Sequence, residues 1–202
     1  MDDPVKSADR SPRAKREWHR GITRDSVANA AVALLDREGR KALTMRRLAQ
    51  DLDVTAASLY FHVAGKDDLI ELVVERVLDG VRLPPSPDLV AAFVAYRRAL
   101  LDHSEAALLI LEFPRLTQAS ARLTERSLTL LTDSGMPLRE ATDRHVTAVA
   151  YMLGWVLQEL MPRKIAPGLA IDSPLVREAM SDLGRRETED RFVIGLRLIL
   201  GT

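Results

Sequence analysis

Apolar residues recur along this chain at intervals of three and four, and nowhere do they alternate singly with polar ones over the length of a strand. The pattern predicts an all-α protein. Thr23, with Asp25 in the first turn, N-caps a helix that buries Val27, Ala31, Leu34 and Leu35 and stops at Gly39. From Thr44 to Lys66 the chain runs TMRRLAQDLDVTAASLYFHVAGK, which reads as two short helices joined by a tight turn. Thr44 caps the first, in which Leu48, Ala49 and Leu52 share one face, and Asp53 takes the left-handed conformation the turn requires. Thr55 caps the second. Ala49 is small where the two helices cross, and Val54 and Leu59 supply the apolar contacts that fix the crossing. Ala56, Ala57, Ser58, Tyr60 and His62 are left on the outside. Such a helix-turn-helix is a module for entering the DNA major groove.

A fourth helix, from about Lys66 to Val81, carries two apolar stripes, Leu69, Leu72 and Val73 beside Ile70, Val74 and Val77, so it is expected to be buried on both sides. At 1.5 Å per residue it is about 24 Å long, enough to join two domains. Pro84, Pro85 and Pro87 then break the chain. After them every segment reads as helix: Asp88 to His103, Glu105 to Glu112, Arg115 to Ser134, Pro137 to Leu160, Ser173 to Leu183 ended by Gly184, and Glu187 to Leu200. The Pro- and Gly-containing connection from Pro162 to Asp172 is long enough to gate a cavity. The expected domains are a flexible charged arm over 1–19, a helix-turn-helix domain over 20–66 and a helical effector-binding and dimerisation domain over 67–202.

With 202 residues, 47% of them apolar, the chain can bury a sizeable core. It has no cysteine, which excludes disulfides, thiolate chemistry and Cys-based zinc sites, and its four scattered His offer no metal site. The net charge is zero, but it is unevenly spread. From Arg10 to Arg47 eleven bases stand against four acids, a local +7 suited to a polyanion. The arm, with Arg13, Lys15 and Arg16, is either a solvated tail or a strand of contacts to DNA phosphates. No apolar run reaches the length of a membrane span, and no signal peptide is evident, which places the protein in the cytoplasm of a prokaryote, at the nucleoid when bound to DNA.

These residues resemble the tetracycline-repressor (TetR/AcrR) family of bacterial one-component regulators. The likeness rests on Gly39, Thr44, Leu48, Ala49, Leu52, Val54, Leu59, Tyr60, His62 and Lys66, and covers roughly Arg20 to Val81. It implies a three-helix DNA-reading head, followed by a helical domain that binds an effector and dimerises. It also implies site roles. Thr44, Arg46, Thr55, Ala56, Ala57, Ser58, Tyr60, His62 and Lys66 form the DNA-binding set. Tyr60 and His62 would touch the DNA backbone, with local packing as the alternative. Arg46 matches a position that reaches guanine, so it either reads a base through O6 and N7 or contacts phosphate. Lys66 would anchor a phosphate at a helix N-terminus. Ala56 and Ala57 are shorter than the side chains usual there, and Asp53 stands where Gly is usual.

The effector would be small and largely apolar, and its binding would release the protein from a palindromic operator. Tyr96, His103, Phe113, His145, Tyr151, Met152, Trp155 and Gln158 are the candidates for its pocket, each of them equally explicable as ordinary core or surface. Two helices carry more apolar surface than one contact uses. Val146, Val149, Leu153 and Leu157 on one, with Phe192, Leu196 and Ile199 on the other, suggest a four-helix bundle across a two-fold axis, the alternative being the centre of a monomer. The expected function is a homodimeric, ligand-responsive transcriptional repressor on double-stranded operator DNA, with no cofactor and no metal. An activator or effector-independent regulator is the alternative, and a helical enzyme or carrier a distant one, since no reactive cluster is apparent.

Overall fold

The computed structural model describes residues 22–114, 116–161, 172–185 and 187–202. The charged arm and the connection after Met161, through residue 171, lie outside the described residues. Among those described there are ten helices and no strand: α1 (Arg24–Glu38), α2 (Met45–Asp51), α3 (Ala56–Tyr60), α4 (Lys66–Asp79), α5 (Leu89–Asp102), α6 (Ser104–Glu112), α7 (Gln118–Asp133), α8 (Leu138–Leu160), α9 (Pro174–Arg185) and α10 (Thr188–Leu200). The chain divides into two compact units, Met1–Val73 and Val74–Thr202, and the division falls inside α4.

In the first unit the helix ends are set by side chains three residues away. Thr23 accepts from the Ser26 amide, and Ser26 in return accepts from the Thr23 amide, a reciprocal pair that satisfies two otherwise orphaned donors. Thr44 and Thr55 do the same single-handedly for the amides of Arg47 and Ser58. Asp53 has φ 53°, the left-handed turn residue between α2 and α3. Val27, Leu34, Leu35, Leu48 and Leu59 have no exposed surface.

In the second unit α8 is the hub, packed by α5, α6, α7 and α10. Phe192, Leu196 and Leu200, spaced by one turn each, put one face of α10 into this core at 0–1% exposure. Each such side chain contributes about 1.5–3 kcal/mol by leaving water. Gly195 lets α10 lie close to α8, because a Cβ there would sit 2.2 Å from the Tyr151 hydroxyl oxygen. Arg97, only 5% exposed, donates through Nε and Nη2 to the two carboxylate oxygens of Glu159 at 2.9 and 2.7 Å and through Nη1 to Glu189 at 3.2 Å. Its guanidinium also faces the Phe192 ring at 5.4 Å. The buried charge is thus tied to two other helices, and removing both carboxylates would leave it uncompensated.

Several expected boundaries shift for local reasons. α7 begins at Gln118 rather than Arg115, because Thr117 caps it through the Ser120 amide. α9 runs through Gly184 to Arg185, so that glycine does not end it. Both apolar stripes of α4 are buried, from Leu69 to Leu78.

Candidate nucleic-acid interface and candidate effector cavity

The first unit presents α3 with Ala56, Ala57 and Tyr60 exposed and with Ser58 and His62 half-buried. Tyr60 is 56% exposed. Two of the candidate hydroxyls are already engaged: Thr55 Oγ1 accepts from the Ser58 amide at 3.2 Å and shares a hydrogen with Ser58 Oγ at 2.9 Å. Thr55 thereby caps α3. Arg46 and Arg47, adjacent on α2, have different surroundings. Arg47 is held by Glu38 at 2.6 Å and by Asp51 at 3.5 Å, whereas Arg46 is exposed. Glu38 also receives Arg37, and the neighbouring guanidinium of Arg47, followed by that of Arg37, keeps its carboxyl below the usual range. Part of the positive charge read from the sequence is therefore spent inside this unit. Lys66 is exposed at the start of α4.

One positioning group escaped the sequence reading. Arg24, in the first turn of α1, donates Nη1 to the carbonyl of His62 at 2.5 Å and pairs through Nη2 with Asp68 at 2.6 Å. Asp68 also accepts the Ala64 amide at 2.8 Å. The hydrogen bond from Arg24 is the main reason the Asp68 carboxyl lies below its usual range. These contacts brace the exit of the reading helix against α1, across 38 and 44 residues of chain. No short-range pattern reveals them.

The second unit contains a cavity of about 450 Å³ walled by α5, α7 and α8, with Leu78 at the end of α4, Ile110 of α6 and the turn after α6 completing it. Of the eight candidate effector residues, Tyr96, His145 and Met152 stand in its wall, with Leu100, Leu123 and Thr124 among their neighbours. His103 is the residue between α5 and α6, Phe113 lies just past the end of α6 and is 37% exposed, and Gln158 is exposed on α8. Tyr151 and Trp155 pack around Phe192, the Tyr151 and Phe192 rings stacked at 5.5 Å. The described wall does not include these five.

The polar part of the wall is a chain of hydrogen bonds. His145 Nε2 meets Thr124 Oγ1 at 3.1 Å, Thr124 Oγ1 reaches the Ser120 carbonyl at 3.1 Å, and Ser120 Oγ donates to the Thr117 carbonyl at 3.0 Å. The Tyr96 hydroxyl donates to the Ala119 carbonyl at 3.4 Å. Burial holds the His145 ring below its ordinary pKa and the Tyr96 phenol above its own. Among the described residues no group of three or more His, Asp or Glu side chains is placed to hold a metal ion, and no helix is long and apolar enough to cross a membrane.

Two of the expected dimer residues need correction. Phe192 and Leu196 are fully buried within the chain, because they lie on the stripe of α10 that faces α8 and α5; they have no surface to offer a partner. Val146, Val149 and Leu153 line the cavity, and Val146, at 59% exposure, also keeps outer surface. Leu157 and Ile199 are half-buried. What α10 leaves outside is Ile194 at 48% and Leu198 at 80% exposure.

Residues 28–73 match the family model described as bacterial regulatory proteins, tetR family, and residues 88–201 match the tetracyclin repressor-like C-terminal domain. The chain is 32% identical over 193 residues to the tetracycline repressor protein class E of Escherichia coli, 89% of each chain being covered. Among solved structures it is similar to the Streptomyces coelicolor protein ActR in complex with actinorhodin, with a TM-score of 0.75, 27% identity and coverage of 90% and 94% of the two chains. It is also similar to BioQ bound to its double-stranded DNA operator, with a TM-score of 0.67, 26% identity and coverage of 89% and 96%.

Proposed function

The chain belongs to the tetR family of bacterial transcriptional regulators, and from that premise we propose a homodimeric repressor that leaves its operator when a small, largely apolar effector fills the cavity beside His145. The observation that carries this reading is the pairing, in one chain, of an α2–turn–α3 reading head with exposed Arg46, Ala56, Ala57 and Tyr60 and a separate unit that contains a mostly apolar cavity. The similar structures include one with a small molecule and one with operator DNA, which supports both halves of the reading.

In this reading α3 enters the major groove and its alanine methyls touch thymine methyls. Arg46 reads guanine, while Tyr60, His62 and Lys66 hold the backbone. Thr44 and Thr55 cap the helices that carry these groups, and Ser58 donates its amide to Thr55. One head reads only a few base pairs, so a two-fold symmetric operator needs two chains. Ile194 and Leu198, the uncovered apolar residues of α10, supply surface for the second copy. The effector acts by favouring a DNA-incompetent state, and α4, which belongs to both units, is the covalent element through which that preference passes. The regulator acts in the cytoplasm and has no enzymatic role.

Selection of a duplex from a randomised pool tests the proposal. A palindromic site should emerge, bound by two chains with strong salt dependence, and Lys66→Ala should lower the salt slope by about one unit per head on all sequences. Failure to enrich any duplex would refute the reading.

A further inference from the structure

Resting on the reading of the cavity as an effector site, we infer that it selects an uncharged, apolar molecule carrying a hydroxyl or phenol hydrogen, which is donated to Thr124 Oγ1. Thr124 has one hydroxyl hydrogen, and it goes to the Ser120 carbonyl. Oγ1 can then only accept from His145 Nε2 at 3.1 Å, so Nε2 carries the ring hydrogen. The opposite tautomer would place an N–H on Nδ1, a buried atom with no partner. An orphaned buried N–H is rarer and costlier than an orphaned acceptor, which favours the same assignment.

The other polar groups of the wall are likewise committed as donors. Ser120 Oγ gives its hydrogen to the Thr117 carbonyl, and the Tyr96 hydroxyl points to the Ala119 carbonyl. Every side-chain hydrogen of these four polar residues is therefore engaged, and Ser120 Oγ also accepts from the Thr117 amide at 2.8 Å and the Thr117 hydroxyl at 3.3 Å, so what remains for a ligand is lone pairs on the other three. Thr124 Oγ1 keeps one after His145 has used the other. Among the described residues no charged side chain lines the cavity, and Leu123 and Met152 belong to its apolar wall. Among the described wall residues a carboxylate ligand would meet no counter-ion and would set its oxygens against oxygens, and a carbonyl or ether would find no free side-chain donor. A hydroxyl on an apolar frame meets both conditions, and His145 serves as the positioning residue that fixes the orientation of Thr124.

Three matched probes test this on the full-length dimer by calorimetry: 9-phenanthrol, 9-methoxyphenanthrene and phenanthrene-9-carboxylate. The phenol should bind about tenfold or more tighter than its methyl ether, with the carboxylate weakest. Thr124→Val keeps the shape and removes the acceptor, so it should bring phenol and ether to equal affinity, while Thr124→Ser should restore the preference. Equal binding of phenol and ether to the unaltered protein, tighter binding of the carboxylate, or no binding of the phenol up to millimolar concentration would overturn the inference. Failure of the repressor reading would look different. The phenol would then bind with the expected preference and leave the affinity for the selected operator unchanged.

Discussion

The two units of this chain meet their polar requirements in different ways. In the reading unit caps and braces satisfy what is buried, and none of its described side chains carries a buried polar atom without a partner. Among the described residues the five such atoms, Arg126 Nε, Ser127 Oγ, His145 Nδ1, Trp155 Nε1 and Arg191 Nε, belong to the second unit. The difference separates two jobs. A surface that must match a fixed helical polymer profits from one well-specified geometry, and short-range hydrogen bonds supply it. In the second unit one such atom, His145 Nδ1, belongs to a residue of the cavity wall, and the free energy its unmade hydrogen bond withholds is available to a rearrangement of that wall.

The largest effect should come from the core of the second unit. Leu196→Glu places an unpaired carboxylate at a site with no exposure, which costs several kcal/mol and should abolish the cooperative melting of this unit followed by Trp155 fluorescence. Leu198→Glu, one half-turn away at 80% exposure, should melt within about 0.5 kcal/mol of the unaltered protein yet sediment as a monomer. A Leu198→Glu protein that remains a dimer would move the proposed interface away from this face of α10.

A smaller effect is expected in the reading unit. Arg46→Ala should cost about 1–3 kcal/mol on the selected operator and little on random duplex, measured by fluorescence anisotropy. Equal losses on both would make Arg46 a phosphate contact. Arg47, already occupied by Glu38 and Asp51, should show neither loss.

The smallest effects are in acid titration, where the units should part company. The Asp68 carboxyl is lower in the folded state, so its contribution is present above the unfolded value of about 3.9 and fades as pH falls through its folded value. The pair is half-exposed, so that contribution stays below about 1 kcal/mol. The His145 ring is also lower when folded. Its contribution is complete above the unfolded value of about 6.5 and is lost as pH falls below it, at no more than about 1.4 kcal/mol per pH unit. Amide signals of the second unit should therefore lose stability in acid before those of the first, and His145→Phe should remove the difference. A first unit that weakens sooner would contradict the contrast.

The same contrast explains what the sequence reveals. Thr23, Thr44, Thr55 and Asp53 act on neighbours three residues away or on their own backbone, so their roles are legible from spacing alone. The brace from Arg24 to Asp68 and the pairing of Arg97 with Glu159 span 44 and 62 residues, and periodicity does not connect such distances. Arg97 did leave a trace: it interrupts an apolar stripe between Phe93 and Leu100, where a charge implies a buried partner. Phe192 and Leu196 were misassigned to a dimer seam because an apolar arc does not say which of its sides another helix of the same chain will cover. The cavity wall poses the same difficulty, since Tyr96 and Tyr151 are alike in sequence and only packing separates them.

The central claim is that the two units are coupled, and one pair of titrations tests it most directly. The affinity of 9-phenanthrol is measured by calorimetry in the absence and presence of saturating selected operator, and the affinity for operator in the absence and presence of saturating 9-phenanthrol. Linkage requires that the two ratios be equal, and an allosteric repressor requires that both lie well above one, about 5- to 150-fold. A 9-phenanthrol affinity that is the same with and without operator would contradict the account.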